Sequence, residues 1–166
     1  MPVEAPGRNY GTVSQMITLH EETETHVAQA VISHHAALRA VHGALGEAER
    51  MGVRINVAVV DSAGHLAGFA RMPGSFLMSI DMACKKAKSA AGLGIEPELA
   101  EQILAHEAAR VREGLIPVAD FTLIRGGLPI RIDGTLIGAI GVSGGSESQD
   151  VACAQAGVAA VIGEKQ

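Results

Sequence analysis

From Ser33 onward the apolar positions alternate between helical and strand periods, and each change marks a new element. Leu38, Val41, Leu45 and Ala48 recur at helical spacing behind Ser33, a residue able to cap, and Gly52 stops the pattern. His34 falls on this stripe and His42 lies at its edge. Arg54–Asp61 and His65–Arg71 are short β-branched or alternating runs joined by Ser62-Ala63-Gly64, which predicts a hairpin. Pro73-Gly74-Ser75 breaks it. A second helix follows, with Phe76, Ile80, Ala83, Cys84, Ala87 and Ala91 on one stripe and Asp81 placed to pair with Lys85. Gly92 and Gly94 end that helix. Pro97 opens another at a position where a missing amide costs little, Leu99, Ile103 and Val111 give it a face, and Gly114 with Pro117 closes it. Phe121 to Ile124 predicts a short third strand.

The stretch from Gly126 to Asp150 carries the strongest local signals. Asp133-Gly134 separates the apolar runs Leu128–Ile132 and Thr135–Val142 and suits a two-residue type I′ turn. Ser143-Gly144-Gly145 then forms a bend, and Ser146 with Gln149 three residues on fits a capping box. The last helix, about Glu147 to Ile162, presents Val151, Ala154, Val158 and Val161. This order predicts an α+β fold: a five-stranded antiparallel sheet with helices on both faces. Residues 1–17 read as an N-terminal tail or arm, and residues 18–166 as one domain. Thr18 to Ile32 permits helix or strand, and helix is the reading adopted.

Composition narrows the functional classes. The chain has 166 residues, with 48% hydrophobic but only 2% aromatic positions, so its core must be built from aliphatic residues and alanine. The formal net charge is −5 and no basic block is present, which argues against nucleic acid as a partner. Cys84 and Cys153 read as two reduced thiols inside helices. No signal peptide or membrane-length apolar run is visible, so the expected location is the cytoplasm and no membrane partner is expected.

A helix that starts behind bare glycine amides can hold an anion such as a carboxylate. A dinucleotide fingerprint is excluded at Gly141–Gly145, because the preceding strand belongs to an antiparallel hairpin and the chain stops soon after the next helix. The histidines at 20, 26, 34, 35, 42, 65 and 106 show no zinc-like spacing. Asp133 is accounted for by its turn, whereas Asp150 sits in a helix's first turn beside the bend. Arg71 and Lys86 could snorkel to solvent or offer charge-assisted bonds to a carboxylate near Gly144 and Gly145.

VAVVDSAGHLAGFARM, ACKKAKSA (Ala83 to Ala90) and GGLPIRIDGTLIGAIGVSGGSESQD, followed by Ala154-Gln155-Ala156, resemble the GlcG/HbpS-like family. The family's members are also called heme-binding or "heme-degrading" domain proteins, and they are similar to the C-terminal domain of PduO corrinoid adenosyltransferases. The resemblance runs from about Ser33 to Val161. The motif positions shared are Asp61, Gly64, Arg71, Lys86, Gly126, Gly127, Pro129, Gly134, Gly138, Gly141, Ser143, Gly144 and Asp150. Pro73 and Ser89 depart from the acidic residue and threonine frequent in the family.

The resemblance implies a profilin-like α/β/α arrangement, homo-oligomers with ligand sites near subunit contacts, and heme or a related tetrapyrrole as ligand. On that implication His42 or His34 would contact the iron, and Arg71, Lys86, Gly144 and Gly145 would take propionates. A competing expectation is a cofactor-independent enzyme acting on a small carboxylated substrate in a catabolic pathway, with Arg71, Lys86 and Asp150 as its catalytic groups. A third is an accessory subunit of an assembly.

Overall fold

The computed structural model of the protein describes residues 25–163. The predicted arm at 1–17 and the first part of the Thr18–Ile32 helix lie outside them. The elements are α1 (His34–Met51), β1 (Asn56–Asp61), β2 (Leu66–Arg71), α2 (Ser79–Leu93), α3 (Pro97–Ala105), α4 (Ala109–Leu115), β3 (Gly127–Ile132), β4 (Thr135–Ser143) and α5 (Glu147–Ile162).

Caps and turns fall where the residue types placed them. The Ser33 side chain accepts from the Ala36 amide, and Gly52 ends α1 in the left-handed region. At the β3–β4 turn Asp133 and Gly134 have φ of 48° and 80°, the positive pair that a type I′ turn requires. Ser146 and Gln149 form the reciprocal capping box of α5.

Strand order is β2-β1-β4-β3, and every pairing is antiparallel. Alternation along the strands divides the core into two layers. Val57, Val59, Ile140 and Val142 face α1 and α5, whereas Ala58, Val60 and Ala139 meet Ala83, Ala87, Ala90 and Ala91 of α2. The expected helices on both faces are therefore present.

Alanine and glycine do the work that aromatic rings perform in other cores. The buried face of α1 is Ala36, Ala37, Ala40, Val41, Ala44 and Ala48. It lies so close to α5 that a Cβ on Gly157 would stand 2.8 Å from the Ala40 carbonyl oxygen, and one on Gly43 would stand 2.7 Å from that of Ala156. On the opposite face a Cβ at Gly141 would collide with the backbone of Ala83 and Ala87.

Four expectations need correction. Among the described residues the sheet has four strands, because Phe121–Ile124 is not a strand. That segment finds its hydrogen bonds elsewhere: the Ser89 hydroxyl on α2 receives the Thr122 amide and donates to the Thr122 carbonyl. One serine side chain thus replaces a strand neighbour, leaving little for a ladder to satisfy. The described part of the Thr18–Ile32 helix, from Thr25, is neither helix nor strand. There Ser62 binds the Ala30 carbonyl and Gln29, and the Ile32 amide donates to Ile137, so partners distant in sequence satisfy the segment.

The single helix from Pro97 is two, α3 and α4, with Leu99 and Ile103 about half exposed. Neither helix docks a wide apolar face, and α4 buries no residue at all. Finally, Phe76 precedes α2 and is exposed rather than part of its buried stripe.

The Gly141 contact makes a direct test. Gly141→Ala should destabilise the protein by about 1–3 kcal/mol through overpacking against α2. Gly46→Ala, on α1 with open space around it, should be neutral or stabilising. Urea unfolding of both variants checks this, and an unchanged midpoint for Gly141→Ala would contradict the close helix–sheet contact.

Candidate functional site

The chemistry-bearing residues of the motifs meet at the end of the sheet where β1 begins and β2 and β4 finish. Lys86 stands on α2, and its side chain is 1% exposed. Its Nζ donates to Asp150 Oδ2 on α5 at 2.8 Å and to the Val142 carbonyl at 2.8 Å. The other carboxylate oxygen of Asp150 accepts from the Gly145 amide at 2.9 Å. A lysine from one helix layer therefore reaches an aspartate from the other, past the end of the sheet.

Missing side chains open the passage. Gly126, at φ 109°, lies so close that an added Cβ would stand 2.8 Å from the Asp150 Cβ and 3.1 Å from Lys86 Nζ. At Gly127 an added Cβ would run into the Lys86 backbone. The Gly126 carbonyl then accepts from the Val142 amide, which ties the passage to β4.

Burial raises the Asp150 carboxyl above the usual aspartate range, while the Lys86 hydrogen bond and charge and the Gly145 amide draw it back. Cys153, one turn further along α5, is a free thiol that burial pushes up to about 11, with the Asp150 charge adding to the shift. Cys84 is also free and half-buried. Among the described residues no group of three or more histidine, cysteine or acidic side chains is arranged to hold a metal ion.

The remaining predicted residues do not converge on this bridge. Arg71 ends β2 and is exposed; its guanidinium donates to the Ser75 carbonyl at 3.2 Å. It shares the sheet end with Gly144, since Asn56 pairs with Arg71 on one side and Ser143 on the other. His34 and His42 are exposed on α1, across the sheet from α2. His34 also lies at the opposite end, because α1 starts beside Ile137 and runs back to Gly52. His34, expected on the apolar stripe, is exposed instead, and its ring packs on His35 with centroids 3.9 Å apart.

Asp61 and His65 occupy that far end as well. Burial alone would raise Asp61, but the amides of His65 and Ala63 and the His65 ring outweigh it and hold the carboxyl low.

Two features of the site escaped the sequence reading. Asn56 is fully buried; it donates to the Phe76 carbonyl and accepts from Ser75, so it fastens the Pro73–Phe76 turn to β1. Its signal was one amide inside the apolar run RINVAVVD. The second is Phe76-Leu77-Met78, three consecutive apolar residues each at least 70% exposed.

The pattern of the family described as "Haem degrading protein HbpS-like" matches residues 32–159. The chain belongs to the HbpS-like family. It is 30% identical over 142 residues to the corrinoid adenosyltransferase PduO of Salmonella typhimurium, covering 86% of this chain and 41% of PduO. It thus spans about two-fifths of that relative's length. With GlcG of Escherichia coli the identity is 28% over 115 residues, covering 69% of this chain and 83% of GlcG. Among solved structures, the PduOC:heme complex shares 31% identity at a TM-score of 0.70, over 79% of this chain and 95% of that one. The ORFY protein of Klebsiella pneumoniae shares 26% identity at a TM-score of 0.74, over 83% and 95%.

For this HbpS-like chain, the motif residues Lys86, Gly126, Gly127 and Asp150 build the bridge and its passage, whereas Gly144 fits against the backbone of Arg54 and Ile55. Within one chain His34 and Arg71 stand at opposite ends and on opposite faces of the sheet.

Removing the bridge's cation should be severe. Lys86→Met leaves a buried carboxylate without its counter-charge and should cost about 3–5 kcal/mol. Without Lys86, the Asp150 pKa should rise further above its unfolded value. The native state then holds a proton that the unfolded state releases, so stability falls as pH rises. The difference between Lys86→Met and wild type, followed by urea unfolding, should therefore be smaller at pH 4 than at pH 7. A penalty independent of pH would contradict this assignment.

Proposed function

We propose that this protein is a small-molecule-binding member of its family whose ligand is heme or a related tetrapyrrole. The observation that carries the reading is the heme complex of PduOC, a relative 31% identical to this chain and alike in fold. Donor chemistry on the surface supports it: His34 or His42 would offer an imidazole to iron, and Arg71 a guanidinium to a propionate. Because these groups lie far apart in one chain, both would reach one ligand only in a homo-oligomer, where copies meet. Lys86, Gly144 and Gly145 would serve the ligand indirectly, by fixing the bend beside Arg71.

A cofactor-independent enzyme acting on a small carboxylated substrate has weaker support. Its anchor was to be the glycine bend, and the Gly145 amide already donates to the chain's own Asp150. Among the described residues no helix is long and apolar enough to cross a membrane.

Hemin added to purified protein should give a shifted, saturable Soret band. Replacing His34 and His42 together by alanine should alter or abolish that band. No shift with the wild-type protein would end the heme reading, and an unchanged band in the double variant would end the role of these histidines.

A further inference from the structure

The chain has one tyrosine and three phenylalanines. An aliphatic protein has few rings with which to build a ligand surface, so the position of each matters. Phe121 is buried, whereas Phe69 is 36% and Phe76 is 70% exposed, and both lie near Arg71.

Phe69 and Arg71 are two residues apart on β2 and so project from the same face of the sheet. Their partners on β1, Ala58 and Asn56, place that face on the α2 side. Arg71 reaches the Ser75 carbonyl, and the fully buried Asn56 holds the Phe76 carbonyl beside it. Phe76-Leu77-Met78 is therefore fastened next to Arg71, with side chains 70%, 74% and 78% exposed. Isolated exposed apolar residues are ordinary, but three in a row beside an exposed ring and a guanidinium form a patch.

Its chemistry is amphipathic. An apolar and aromatic surface would accept the face of a large planar ring, and Arg71 at its edge would pair with a carboxylate. A flat, apolar macrocycle with acidic side arms matches both parts, whereas a small acid matches only the guanidinium.

We propose that Phe69, Phe76, Leu77 and Met78 form the shelf on which the tetrapyrrole lies, with Arg71 binding a propionate. The inference rests on the heme reading above but assigns the ring to a surface of α2 and β2, away from α1. Phe76, Leu77 and Met78 are open to solvent, so their replacement leaves the core intact.

Hemin titration tests it, with Phe76→Ser/Leu77→Ser/Met78→Ser, Arg71→Gln and wild type compared, and with hemin dimethyl ester as a second probe. The triple variant should bind hemin at least about tenfold more weakly, equivalent to about 1.4 kcal/mol. Arg71→Gln should weaken hemin binding but leave the dimethyl ester unaffected, since the ester lacks the propionate charge. If wild type and the triple variant bind hemin equally, the shelf is wrong and the heme reading survives. If wild type binds no hemin, both fall. Weaker hemin binding with an unchanged subunit number, measured by light scattering, supports the shelf; weaker binding that comes only with a changed subunit number would make the loss one of assembly and overturn the proposal.

Discussion

A buried ammonium and a buried carboxylate, 2.8 Å apart, join the two helix layers across the end of the sheet. Removing two charges from water is costly, and the pair is tolerable only when their remaining hydrogen-bonding groups are satisfied. Here Val142 accepts a second bond from Lys86, and the Gly145 amide donates to Asp150. Much else follows from this requirement. Gly126 and Gly127 must lack side chains to let the lysine through, and the bend must present its amide inward. The bend that resembles an anion cradle is one, and its anion belongs to the chain.

This explains why the site was only partly legible in the sequence. The hairpin at Asp133-Gly134, the capping box and the α1 boundaries follow from local chemistry, and local chemistry placed them correctly. Asp150 stands out in the sequence by its position beside the bend and Lys86 by its place at the edge of the α2 stripe, but their mutual contact spans 64 residues. No periodicity reports such a contact. A lysine at the edge of an apolar stripe reads equally well as a snorkelling one.

The fifth strand failed for a related reason. Phe121–Ile124 has strand composition, but whether a segment joins a sheet depends on where its amides find partners, and Ser89 supplies them from another element. Phe76 reads as part of the α2 stripe because hydrophobic spacing continues through the point where α2 starts. Bonds from Asn56 to the Phe76 carbonyl and from Arg71 to the Ser75 carbonyl hold the turn apart from the helix that follows.

Architecture and recognition are thus divided in this molecule. Its interior is aliphatic and small-residue packed, closed at one end by the ion bridge. Its chemically versatile groups, including Arg71, the α1 imidazoles and two of its three phenylalanines, remain on the surface. The central claim is that Lys86 is a structural cation enclosed in the fold, so its reactivity is the most direct measurement. Reductive methylation of the native protein, read by peptide mass spectrometry, should modify the more exposed Lys88 and leave Lys86 unmodified, with or without hemin. Rapid methylation of Lys86 in the free protein, or protection that appears only with hemin, would contradict the account.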